Sequence, residues 1–157
     1  MTNVGITGHR RIPDEALDHV TREIGDVLRR MAGPIVGYSS LAIGADQIFA
    51  QTVLDTGGEL VAVIPCREYE TTFAPSDVPA YESLLARATI TTILDYPAPT
   101  DEAYMAAGEQ VVENSDIVIA VWDGLPANGL GGTGDAVRHA RNLGKSIIVI
   151  WSEGVYH

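Results

Sequence analysis

The feature that most restricts how this chain can fold is an alternation running its whole length, in which short aliphatic, β-branched runs are separated by stretches with helical spacing. Asn3 to Thr7, Ile35 to Tyr38, Leu60 to Ile64, Asp116 to Trp122 and Ser146 to Trp151 are apolar at most positions, the pattern of strands covered on both faces. Thr89 to Leu94 mixes threonine with aliphatic residues, as an edge or half-covered strand does. Between the first two runs, Leu17, Val20, Ile24, Val27, Leu28 and Met31 recur on one helical face, with acids at the start and Arg29 and Arg30 at the end, where each favours the helix dipole. Strand, helix and strand at this spacing require parallel crossovers. The expectation is an α/β fold: one doubly wound sheet of five or six parallel strands between two helical layers, forming a single domain over residues 1–157. The first two strands should be neighbours with the third beyond, and the Asp116 to Trp122 strand should lie on the other side of the first. The place of Thr89 to Leu94 stays open.

Three stretches have the composition of a ligand site. Gly131-Gly132-Thr133-Gly134-Asp135 follows the Asp116 to Trp122 run and opens a helix, a geometry that leaves backbone amides free to hold an anion. Thr133 would add a hydroxyl and Asp135 a carboxylate; the same residues also make an ordinary tight turn and helix cap. Gly8, His9 and Arg10 leave the first strand, and Arg10 could grip a phosphate or carboxylate through its planar fork or pair with a nearby acid. Ser39, Gly44 and Asp46 occupy the turn after the second strand, where Asp46 could cap the next helix, orient a ribose hydroxyl or brace the loop. Asp123 leaves the central strand at the same edge. With Asp135 it would offer two carboxylates for base or sugar recognition, for glycosidic cleavage, or for a divalent ion bridging to phosphate. Tyr69 and Phe73 fall in an irregular segment from Glu68 to Pro79, either as stacking partners for a nucleobase or as pins for the loop.

Composition narrows the partners. Twenty-one acids against 10 lysines and arginines give a net charge of −11, and the basic residues never cluster beyond pairs. Nucleic-acid surfaces draw on a positive stripe, so no nucleic-acid partner is expected, while a small phosphorylated ligand needs only one or two placed cations. The one cysteine, Cys66, excludes an intrachain disulfide and cysteine-based metal spacing, and reads as a small buried or half-buried thiol. No resident cofactor or metal centre is called for. Without an apolar stretch near membrane-spanning length or a signal-like start, a cytoplasmic protein with no membrane partner is expected. The apolar helix faces suggest a homodimer or larger homo-oligomer.

Taken together, the opening Gly5-Ile6-Thr7-Gly8-His9-Arg10, the middle Ser39 to Ala50 block and the late Gly131 to Asp135 stretch resemble the SLOG superfamily. These are the Rossmann-like domains shared by DNA-processing Smf proteins and the lonely-guy phosphoribohydrolases, often labelled lysine decarboxylase-like. The resemblance covers nearly the whole chain. It implies a nucleotide or nucleotide-derived ligand over the carboxyl ends of the strands, bound as by a sensor. An N-glycosidic hydrolase acting on a nucleoside monophosphate through Asp135 and Asp123 is the second implication, and a structural or protein-interaction domain is a third reading. The phosphoribohydrolases carry a catalytic glutamate shortly after their glycine stretch. No glutamate occurs in the helix that follows here, so the phosphate cradle matches better than the cleavage chemistry.

Overall fold

The structure is a computed structural model, and residues 1–124 and 132–151 are described. Strands β1 (Thr2–Gly8), β2 (Ile35–Ser39), β3 (Glu59–Ile64), β4 (Ile90–Ile93), β5 (Ile117–Val121) and β6 (Ser146–Ile150) alternate with helices α1 (Asp14–Arg30), α2 (Ala45–Asp55), α3 (Val78–Arg87), α4 (Asp101–Asn114) and α5 (Thr133–Asn142). The strands form one six-stranded sheet in the order β4-β3-β2-β1-β5-β6. Every pairing is parallel, with β1 held to β2 by Thr2↔Ile35 through Gly5↔Tyr38 and to β5 by Val4↔Ile117 through Gly8↔Val121. This is the expected Rossmann-like, three-layer arrangement. It also places the open Thr89 to Leu94 stretch: β4 is the edge strand beside β3, and its Ile90 and Ile93 are exposed.

Side-chain alternation along each strand sorts the two helical layers. Val4 and Ile6 of β1 pack with Val20, Ile24 and Leu28 of α1 and Phe49 and Val53 of α2, while Leu60, Ala62 and Ile64 of β3 meet Tyr81 and Leu84 of α3. On the opposite face Val36, Val61 and Val63 meet Ala107 and Val111 of α4, and Val118 meets Ala140 of α5. The buried stripe Ala16, Val20, Ile24, Leu28 has the spacing that keeps one face of α1 on the sheet. Burying each aliphatic side chain there contributes roughly 1.5–3 kcal/mol.

Local signals set the helix ends. Asp14 and Glu15 stand in the first turn of α1 and Arg29 and Arg30 in its last, as the sequence predicts. Thr100 caps α4 by accepting the Ala103 amide. The irregular segment after β3 forms two short 3₁₀ turns, Tyr69–Thr72 and Pro75–Asp77. Its aromatic residues pin it: Tyr69 meets Phe73 and Tyr81 edge to face, and Phe73 stacks on Tyr81 at 4.8 Å. Burial pushes the Tyr81 hydroxyl up to about 12, with the Glu70 charge adding to the effect. Among the described residues no helix is long and apolar enough to cross a membrane.

Candidate functional site

The strand order reverses at β1, which has β2 on one side and β5 on the other, so the carboxyl ends of β1, β2 and β5 border one crevice. A cavity of about 80 Å³ lies there. Gly8 and Arg10 line it from β1, Ser40, Ala42 and Asp46 from the β2–α2 connection, Thr133 from the start of α5, and Tyr69 and Tyr104 from the 3₁₀ turn and α4. Residues far apart in sequence thus share one wall because three strand-to-helix turns end at the same sheet edge.

Arg10 is exposed, and its guanidinium lies over the Tyr104 ring, 4.7 Å from the centroid. The ring face attracts the cation and limits its range of positions. Thr133 is buried at the first position of α5, beside Gly132, whose extended backbone opens the helix.

Asp46 is the buried carboxylate of the site. Its Oδ2 accepts the Ala42 amide at 3.2 Å. Burial raises its pKa from 3.8 to about 7, against the opposing effects of that hydrogen bond and of the Arg10 charge. Tyr69, 3 % exposed, has its hydroxyl pushed well above the ordinary tyrosine value, first by burial and then by the Asp46 charge.

Ser39 is fully buried and serves the loop rather than the cavity wall. Its hydroxyl donates to the Asp46 carbonyl and accepts the Leu41 amide, each at 3.1 Å, which holds Leu41 at φ 58°. Gly44 has φ 89°, and a Cβ there would overlap the carbonyl oxygens of His9 and Arg10. The loop after β1 and the start of α2 lie in backbone contact at this point, and the Ala45 amide donates to the His9 carbonyl at 3.3 Å. At Gly8 a Cβ would overlap Ala45, so this glycine lets α2 approach the end of β1.

His9 turns toward the exit of β5. Its Nε2 lies 3.2 Å from the Asp123 amide and 3.4 Å from the Asp123 carboxylate, and its ring meets Trp151 edge-on at 5.2 Å. Accepting the amide and donating to the carboxylate require different protonation of the same nitrogen. Asp135 faces elsewhere: it receives Arg138 at 3.2 Å and lines a groove between α4 and α5. Asp123 thus has His9 among its neighbours, and Asp135 has Arg138. Gly131 lies outside the described residues. Cys66 is buried, and its thiol is pushed up by burial and by the Glu70 charge. Sequence reasoning did not place Tyr104 in the site, because an aromatic residue on an apolar helix face carries no local sign that an arginine will stack on it.

An all-parallel, doubly wound sheet with helices on both faces is a Rossmann-like fold. Solved structures share that fold. DNA processing protein A from Helicobacter pylori, described for its single-stranded DNA binding mode, is similar with a TM-score of 0.70 at 20 % identity, over 94 % of this chain and 64 % of that one. DNA processing protein A from Streptococcus pneumoniae gives 0.70 at 17 %, over 98 % and 52 %. The molybdenum cofactor carrier protein from Chlamydomonas reinhardtii gives 0.58 at 14 %, over 94 % and 75 %. The chain thus spans about half to two thirds of the two DNA processing proteins. No family model matches the chain, and no curated protein matches it in sequence.

The first of these similarities corrects one expectation. The net charge points away from a nucleic-acid partner, yet the same fold serves a protein that binds single-stranded DNA. Net charge sums the whole surface, whereas binding follows the local potential of a groove, which a few side chains can dominate.

Proposed function

We propose that the chain binds a small phosphorylated ligand of nucleotide type in the crevice at the carboxyl edge of the sheet, without turning it over. One observation carries the reading: Arg10, Asp46 and Thr133, from three separate strand-to-helix connections, line a single cavity where the strand order reverses. Arg10 supplies the charge-assisted grip on phosphate, and the amides of Gly132, Thr133 and Gly134 at the start of α5 supply neutral donors. Asp46 complements both. Protonated, it donates to a phosphate oxygen; ionised, it accepts from a ribose hydroxyl. Asp135 is paired with Arg138 in the α4–α5 groove, an observation that favours binding over glycosidic cleavage.

Calorimetric titration with AMP, ADP and ADP-ribose tests the reading. Wild-type protein should bind at least one of them below millimolar concentration, and Arg10→Ala should weaken that binding with little change in melting temperature. Losing one side of a charged contact that the bound ligand covers and desolvates costs about 2–5 kcal/mol. Affinity in Arg10→Ala within about twofold of wild type would remove Arg10 from the site, since twofold is far below that cost. A single-stranded oligonucleotide is titrated alongside. Tight oligonucleotide binding with none by the mononucleotides would replace the ligand class.

A further inference from the structure

We propose that Glu109 and Glu113 of α4 and His139 of α5 form a site for one divalent transition-metal ion, of the zinc or cobalt class, beside the α4–α5 groove. The donor atoms of these side chains all lie within 4.8 Å of one another. The glutamates stand four residues apart and so share one helical face, and His139 reaches them from the neighbouring helix. His139 Nε2 and Glu113 Oε1 are 3.3 Å apart. Two ligands bound about 2.1 Å from a tetrahedral ion adopt a separation of ~3.4 Å, so this pair is already spaced for coordination, and rotation of the Glu109 side chain completes a three-ligand set.

The surrounding charges favour a cation. Two carboxylates at this spacing repel. Among the described residues Glu109 has no ion pair, and the nearby Arg138 is engaged by Asp135. Lys145 donates to the Glu113 backbone carbonyl at 3.3 Å, not to its carboxylate. Neutral imidazole with carboxylates suits zinc, cobalt or nickel over calcium, which prefers an all-oxygen shell. The groove alongside, about 210 Å³ and lined by Met105, Glu109, Asp135 and His139, leaves room for water or a ligand atom to fill the remaining coordination position. Sequence reading expects no metal centre because the donors lie on two helices, with Glu113 and His139 26 positions apart, and form no local motif.

The test is titration of the metal-free full chain with Co²⁺, read by visible absorption, and with Zn²⁺, read by competition with a chromophoric chelator. Wild type should take up one ion per chain at micromolar affinity, with the absorption of a low-symmetry cobalt site. His139→Ala and Glu109→Gln should each abolish that signal while their metal-free melting temperatures match wild type. Zn²⁺ should raise the melting temperature of wild type alone. Absence of one-to-one uptake by the folded wild type, or unchanged uptake in both variants, overturns the proposal. Nucleotide titrations of the two variants separate this site from the crevice, where Arg10 and Asp46 are untouched.

Discussion

Replacing Asp46 by asparagine should stabilise the protein at neutral pH, and by an amount that depends on pH. The side chain is buried, and its oxygen accepts the Ala42 amide; an asparagine oxygen can keep that bond while removing the titration. In wild type the carboxyl pKa rises from 3.8 in the unfolded chain to about 7 in the fold. Between those values the folded state holds a proton that the unfolded state has released. Stability from this group is therefore fully present below pH 3.8, falls as pH rises, and is lost once pH passes about 7. A shift of roughly three units corresponds to about 4 kcal/mol. The asparagine variant should match wild type near pH 4 and exceed it by up to about 4 kcal/mol at pH 8, which for a chain of this size raises Tm by roughly 8 °C or more. Urea unfolding of both proteins from pH 4 to pH 8 measures the difference, in which the other carboxylates cancel. A difference that is flat across this range refutes the reasoning, because it means that Asp46 ionises in the fold as freely as in the unfolded chain.

The same carboxyl should govern ligand affinity: phosphate or AMP should bind more tightly at pH 6 than at pH 8, and Asp46→Asn should level that profile in a calorimetric titration. Tyr104→Leu should weaken anion binding by releasing the Arg10 guanidinium, and should leave melting almost unchanged because Tyr104 is only half-buried; undiminished affinity would show that the stacking does not position Arg10. Gly44→Ala should lower stability by about 1–3 kcal/mol in chemical denaturation, since its left-handed backbone faces two carbonyl oxygens. Sedimentation equilibrium should show self-association, and Ile90→Lys with Ile93→Lys should reduce it if the exposed β4 edge forms the contact.

The sheet was legible because its signal is repeated and local. Aliphatic runs such as Asp116 to Trp122 mark strands, and the amphipathic spacing from Leu17 to Met31 marks a helix that covers them. Placing β4 required knowing that Leu60 to Ile64 had a free side. No local pattern reports that, although the threonines at 91 and 92 indicate partial cover. The site divides similarly. Arg10, Asp46 and Thr133 stand out in the sequence because turns at strand exits have a distinctive composition, and the parallel topology brings those turns to one cavity. The orientations were not legible. His9 toward Asp123 and Trp151, Asp135 toward Arg138, and Arg10 over Tyr104 depend on packing between residues distant in sequence. Whole-chain charge is a weak guide to partners for a related reason, because it averages over the entire surface.

The close approach at Gly44 also bears on how such a chain can change over time. The atoms nearest that glycine are main-chain atoms of His9 and Arg10, so the fit constrains where their backbone runs more than which side chains they carry. Mutation can therefore exchange what position 10 presents to the crevice without disturbing the seam between the two loops, whereas even one methyl group at position 44 forces them apart. A frame that fixes backbone and frees side chains in this way can be handed from one ligand to another during divergence.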